Sequence, residues 1–127
     1  MIKRAMVLSF LLAAAPAGAR AAGCTAATNE AKGARIAAHA WGNHGAEFVK
    51  DKQIAGKKYP GPTLQTQAGL AGKVRTILDG VAGVAIADGR RKYWDAATGT
   101  IVIFNSRTPD CGTVFRPDRG KNYYDAQ

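Results

Sequence analysis

Two histidines stand five residues apart in the run His39-Ala40-Trp41-Gly42-Asn43-His44-Gly45-Ala46-Glu47-Phe48, and the chain has no others. Imidazole is the side chain whose ordinary pKa lies nearest neutrality, so the pair suits general acid–base chemistry. On a continuous helix a spacing of five sets two side chains roughly 140° apart, off any common face. Gly42 and Gly45 argue against a continuous helix here, and a bend would bring both imidazoles to one site. His44 is the first choice for an acid–base group and His39 the second. The competing reading is that both are structural or merely exposed. His-x4-His without an evident third ligand is not a metal pattern, so neither a metal nor a cofactor is expected.

Lys32, Arg35 and His39 follow one another at i, i+3 and i+7, which places them on one stripe of a helix. Such a stripe suits a phosphate-facing surface, although a solvated helix face explains three residues equally well. The whole chain carries 18 Lys+Arg against 9 Asp+Glu, a formal charge of +9 over 127 residues. Part of that charge lies in an expected export leader, residues 1–21. Met1 to Arg4 is its positive start and Ala5 to Ala15 an apolar stretch too short to span a bilayer. Ala17-Gly18-Ala19 and Ala19-Arg20-Ala21 are Ala-x-Ala cleavage sites. Removing Lys3, Arg4 and Arg20 with the leader leaves 15 basic and 9 acidic residues, still a net +6. An anionic partner fits that balance; so does a small basic exported protein without one. The expected location is periplasmic or secreted, with no stable membrane insertion once the leader is gone.

Export governs the reading of Cys24 and Cys111, the only cysteines. In an oxidising compartment they form one disulfide, closing a long loop worth on the order of 4 kcal/mol. The alternative is lipidation at Cys24: Ala21-Ala22-Gly23-Cys24 partly resembles a lipoprotein cleavage box but lacks Leu three residues before the cysteine.

The elements that must position these groups follow from patterning. Residues 22–28 are an Ala-rich linker, and residues 29–127 form one domain. A helix starts at Thr28 or Asn29, with Glu30 favourable to its dipole, and runs to about Trp41. Val49 to Lys58 reads as a basic loop, closed by the break Tyr59-Pro60-Gly61-Pro62. A second helix begins near Thr63. Leu70 or Ala71, Val74, Ile77 or Leu78, and Val81 give its buried side, and Asp79-Gly80 ends it. Val81 to Ala87 reads as a short strand or a helix tail. From Gly89 the β-branched and aromatic runs Arg90–Asp95, Thr100–Asn105, Thr113–Asp118 and Asn122–Asp125 alternate with turn residues, the mark of an antiparallel meander. Ile101-Val102-Ile103-Phe104 is apolar on both faces, so something packs on each side of it. The expected class is α+β, with N-terminal helices on a meander of three to four strands.

The layout His-x-x-x-x-His-Gly-x-x-Phe, a Pro-Gly helix entry, a Gly-Arg…Tyr-Trp strand and Gly-Thr-x-Phe-Arg-Pro…Tyr-Tyr-Asp resembles a group of bacterial toxin domains. These sit at the C-termini of filamentous-haemagglutinin-like and contact-dependent growth-inhibition proteins and are similar in plan to the colicin D type of ribonuclease, within the barnase/colicin/RelE-like fold. The resemblance covers about Arg35 to Gln127. His44-Gly45-x-x-Phe48 and Asp95 to Pro117 are its most specific pieces. It implies a metal-independent ribonuclease, with RNA as partner and a cognate immunity protein as a second.

RNA cleavage of that kind needs a base for the 2′-hydroxyl, an acid for the 5′-oxygen and donors on the phosphate. His44 and His39 fill the first roles. Arg116 is expected to grip the phosphate in bidentate fashion. Thr113 lies three residues earlier, on the opposite pleat of a regular strand, so it joins Arg116 only through a bulge. Lys57, Lys58, Arg90, Arg91 and Lys121 are expected along the backbone, and Trp94, Tyr93 and Tyr123 against bases. Two other readings compete: a non-catalytic exported module for nucleic acid, lipopolysaccharide or another polyanion, and a small envelope or inhibitor protein with structural histidines. Clustering of both histidines with Arg116 over one concave surface favours cleavage, a flat basic face with distant histidines favours binding, and histidines packed into the core with backbone partners favour the third.

Overall fold

The computed structural model describes residues 23–127; the expected leader, residues 1–21, lies outside the described residues. Helix α1 (Asn29–His44) opens where the sequence expects it. The Thr28 hydroxyl caps it by accepting from the N–H of Ala31 at 3.1 Å, and Glu30 occupies the first turn. Gly33, Ile36, Ala37 and Ala40 recur at helical spacing and are all buried. The helix does not stop near Trp41. It continues through Gly42 to His44 and tightens into a 3₁₀ turn, Gly45–Glu47. An interior glycine costs only about 1 kcal/mol, less than the packing α1 gains. Gly45 has a further reason: a Cβ there would lie 2.7 Å from the Trp41 ring, which rests on that backbone.

Val49 to Lys58 is not a plain loop. It carries a small antiparallel hairpin, β1 (Gln53–Ile54) and β2 (Lys57–Lys58), pairing Gln53 with Lys58 and Ile54 with Lys57. Ala55 and Gly56 at its tip both have positive φ, 53° and 77°, as a two-residue turn of this hand requires. Tyr59, just beyond, is buried edge-on against Phe48, with ring centroids 5.7 Å apart.

Helix α2 (Gln67–Gly80) begins four residues later than expected because Thr66 supplies its cap, accepting from the N–H of Gly69 at 3.0 Å. Leu70, Val74, Ile77 and Leu78 form its buried side, as the spacing predicts. It crosses α1 closely. A Cβ on Gly33 would sit 2.7 Å from the Ala71 carbonyl oxygen, so only glycine allows that approach.

The sheet has four antiparallel strands in sequential order: β3 (Val84–Ile86), β4 (Arg90–Asp95), β5 (Thr100–Asn105) and β6 (Gly112–Phe115). The ambiguous stretch after α2 thus supplies a strand, and the expected last strand does not exist. Asn122–Asp125 belongs instead to a short helix, α3 (Lys121–Ala126). In register, Tyr93, Val102 and Val114 face α1 and α2 in one core with Ile36, Leu70 and Val74. Trp94, Ile101 and Phe115 face the other way, where Tyr124 and Tyr123 of α3 meet Trp94 and Phe115. Strand β5 is therefore covered on both sides, and Ile101, Val102 and Ile103 are all buried. The class is α+β, with the two long helices N-terminal to the four-stranded sheet.

Cys24 and Cys111 are joined in a disulfide that spans 87 residues. The lipidation alternative thereby loses its sulfur. The bond fixes the segment before α1 to the β5–β6 connection, where the N–H of Cys24 also donates to the Ser106 carbonyl at 3.0 Å.

Candidate functional site

His44 ends α1 beside the edge strand β6, and its ring stacks on Phe115 with centroids 5.1 Å apart. Glu47, three residues on in the 3₁₀ turn, places Oε2 2.6 Å from His44 Nδ1. Its Oε1 accepts the backbone N–H of Arg116 at 2.7 Å. One carboxylate thus ties the helix end to the strand end. A carboxylate at this distance favours the tautomer of the neutral ring that donates from Nδ1 and keeps its lone pair on Nε2. Both residues line a cleft of about 330 Å³ together with Phe115, Pro117, Asp118, Arg119 and Tyr123. The side chains of His44 and Glu47 are 32% and 21% exposed, open to a ligand yet shielded enough to strengthen the pair. Tyr123 meets Phe115 edge-on at 5.3 Å, so the imidazole, phenyl and phenol rings form one wall. Arg116 also lines the cleft, and at its rim the exposed Arg119 stands beside the exposed Asp118, so cations and carboxylates both face it.

Arg116 does not serve as the sequence suggests. It is 2% exposed, and its guanidinium turns inward. Nε donates to the Thr98 carbonyl at 2.9 Å. Nη1 donates to the carbonyls of Glu47 at 2.8 Å and Lys52 at 3.2 Å, and Nη2 to that of Lys57 at 2.9 Å. The group also lies over the Tyr59 ring, 5.3 Å from its centroid. Burial pushes its affinity for the proton down, and the Glu47 charge partly restores it. With those donors committed to main-chain carbonyls, Arg116 fastens the β4–β5 turn, the 3₁₀ turn and the hairpin to one another. It backs the His44 cleft rather than reaching a phosphate in it.

His39 stands elsewhere. Because α1 is continuous, the two histidines stay on different faces, and the expected bend does not occur. His39 Nδ1 lies 3.2 Å from Asp110 Oδ2, with the two side chains 48% and 37% exposed. They share a shallow recess of about 250 Å³ with Arg90, Asn105, Thr108 and Thr113. Burial alone would raise the Asp110 carboxyl; the Thr108 hydroxyl, the Gly112 N–H and His39 together hold it below its ordinary value. Thr113 therefore joins His39 and Arg90, while Arg116, on the opposite pleat, belongs to the His44 side. No bulge unites them: Thr113 pairs regularly with Ile103. The basic stripe of α1 is not a free phosphate surface either. Lys32 covers the Phe104 ring at 4.5 Å, and Arg35 donates to the Pro109 carbonyl at 3.0 Å and the Thr25 hydroxyl at 3.1 Å.

The remaining predicted residues separate. Lys57, Trp94 and Lys121 line a third cleft, of about 480 Å³, with Ile54, Ala55 and Gly99. Lys58 is exposed on the hairpin, and Arg91 donates to the Gly83 carbonyl at 3.1 Å on the helix-covered side of the sheet. Tyr93 is half-buried against the core. Among the described residues no group of three His, Cys, Asp or Glu side chains gathers closely enough to hold a metal ion, and no helix is long and apolar enough to cross a membrane.

Comparison with models of protein families, with curated proteins and with solved structures found no match to this chain. The geometry also names two residues that the sequence reading passed over, Glu47 and Arg119. The signal for Glu47 was present: His44-x-x-Glu47 is the i, i+3 spacing that joins side chains across a helical turn.

Proposed function

We propose that the chain is an exported, metal-independent ribonuclease of the toxin type, with His44 at its reacting centre. The observation that carries this reading is the 2.6 Å contact from Glu47 to His44 Nδ1, at the wall of an open cleft that also holds a cation and a phenol. A carboxylate on one ring nitrogen fixes the tautomer and stabilises the imidazolium that forms when the other nitrogen takes a proton.

In the proposed step, His44 Nε2 takes the proton of a ribose 2′-hydroxyl, and that oxygen attacks the adjacent phosphorus. The bond from phosphorus to the 5′-oxygen breaks on the opposite side. Tyr123 is the cleft's proton donor for the departing oxygen, and Arg119 bears the charge that gathers on the phosphate. The products are a 2′,3′-cyclic phosphate and a 5′-hydroxyl. His39 takes no part, since it lies in a different recess with Asp110; the clustering of both histidines with Arg116 is not met, and in geometry the reading rests on the His44–Glu47 pair alone. The resemblance to ribonuclease toxin domains and the basic composition support the same reading; the Cys24–Cys111 disulfide, which that group is not expected to carry, supports export alone. A cognate immunity protein belongs to the proposal. The structural-histidine reading is less favoured, because both imidazoles are partly exposed and partnered by carboxylates rather than buried on main-chain groups.

The test is product chemistry. The oxidised protein, incubated in EDTA with an RNA oligonucleotide and with DNA of the same sequence, is expected to cut only the RNA and to leave 2′,3′-cyclic phosphate ends. Cutting of both, or retention of RNA without cutting, would overturn the mechanism; the second outcome would favour a polyanion-binding module.

A further inference from the structure

The cleft at Trp94 is next door to the His44 cleft. Pro117, Asp118 and Arg119 line one, and Gly120 and Lys121 line the other, so their rims lie on consecutive residues of one short segment. Trp94 leaves the sheet on the face opposite the long helices. Tyr124 packs on one side of the indole, with centroids 5.9 Å apart and rings tilted by 46°, and the half-buried ring helps to line the cleft. Two lysines flank it. Lys57 comes from the hairpin and passes over Gly99, where a Cβ would meet its Cδ at 3.4 Å. Lys121 comes from the start of α3, in an exposed pair with Asp125 at 3.2 Å and 5.6 Å from the centroid of the Tyr124 ring. Gly99 and Gly120 keep the space open. Both have positive φ, 66° and 58°, and a Cβ at Gly120 would press on that of Ala55 at 3.0 Å. Among the described residues no acidic side chain lines this cleft.

We infer that this cleft binds one unpaired nucleobase of single-stranded RNA, stacked on Trp94, with Lys57 and Lys121 on its flanking phosphates. An aromatic face is open to any base but reaches only a base freed from a duplex, and cations beside it track the backbone. The site therefore selects single strands and loops over double helices and sets a nucleotide next to the one whose phosphate enters the His44 cleft. Its place relative to cleavage rests on the function proposed above; its binding does not.

The experiment measures binding without cleavage. The probe is a fluorescent single-stranded 2′-O-methyl RNA oligonucleotide, which lacks the attacking hydroxyl, and the control is the same sequence in a duplex. The oxidised protein is expected to hold the single strand about tenfold more tightly than the duplex. Trp94→Ala should lose about tenfold on the single strand and Trp94→Phe should keep most of the affinity. Lys57→Gln and Lys121→Gln should each lower the salt slope of binding by roughly one. Equal affinity for duplex and single strand, or wild-type affinity in Trp94→Ala, overturns the inference. Where Trp94→Ala loses its native circular dichroism, the two lysine variants decide, and unchanged salt slopes overturn it. Trp94-dependent binding by a protein that leaves ordinary RNA uncut would sustain the cleft and defeat the cleavage reading. Cleavage with Trp94-independent binding would do the reverse.

Discussion

Glu47 and Arg116 hold each other twice: the carboxylate of Glu47 accepts the backbone N–H of Arg116 at 2.7 Å, and the Arg116 guanidinium donates to the Glu47 carbonyl at 2.8 Å. Arg116 donates in both, once from its backbone to the Glu47 side chain and once from its side chain to the Glu47 backbone, so the turn after α1 and the end of β6 are joined at two points. They give the His44 cleft a rigid back wall, because the other oxygen of the same carboxylate meets the imidazole.

Arg116 is accordingly a fold residue. Truncation to alanine leaves the buried carbonyl of Thr98 and the part-buried carbonyls of Glu47, Lys52 and Lys57 without this donor, and Arg116→Lys keeps the charge but cannot reach four acceptors. Both variants are expected to lose at least about 3 kcal/mol in urea unfolding. A lysine variant of wild-type stability with lost RNA binding would instead restore the phosphate role.

Glu47→Gln keeps an acceptor for the Arg116 N–H but removes the charge beside His44. Cleavage is expected to fall about 100-fold or more with near-native stability. Single-turnover rates read this directly, and a rate within about twofold of wild type would show that Glu47 does not act through His44.

The Cys24–Cys111 bond closes a loop spanning 87 residues. Its removal, by reduction or by a Cys24→Ser/Cys111→Ser double change, is expected to cost on the order of 4 kcal/mol through the added freedom of the unfolded chain. Urea midpoints with and without reductant measure it.

Asp110 carries a pH dependence. Its folded carboxyl lies below the unfolded value, so its contribution is fully present above the unfolded pKa and is lost as pH falls through the lower folded one. Stability from pH 5 downward should therefore decline more steeply in the wild type than in Asp110→Asn. Parallel curves for the two proteins would contradict this.

Much of the fold is legible locally. Thr28 with Glu30 marks the start of α1, and the apolar spacing of α2 and the runs of β4 and β5 are read from the chain alone. The errors have physical causes. Gly42 and Gly45 look like breakers, but tertiary packing carries the helix through the first, and Trp41 needs the second. Asn122 to Asp125 is too short for periodicity to separate strand from helix. The site was read less well. Phe48 and Arg116, among the most distinctive residues of the stretch, are buried, and a strand arginine before Pro117 gives no local sign of which way it turns. Whether His39 and His44 meet depends on the helix continuing between them, a tertiary outcome.

The most direct measurement compares the oxidised wild-type protein with His44→Ala on total RNA in EDTA, with circular dichroism confirming that both are folded. The account predicts discrete fragments from the wild type and none from the variant. Equal cleavage by the folded variant, or no cleavage by the folded wild type, would contradict it.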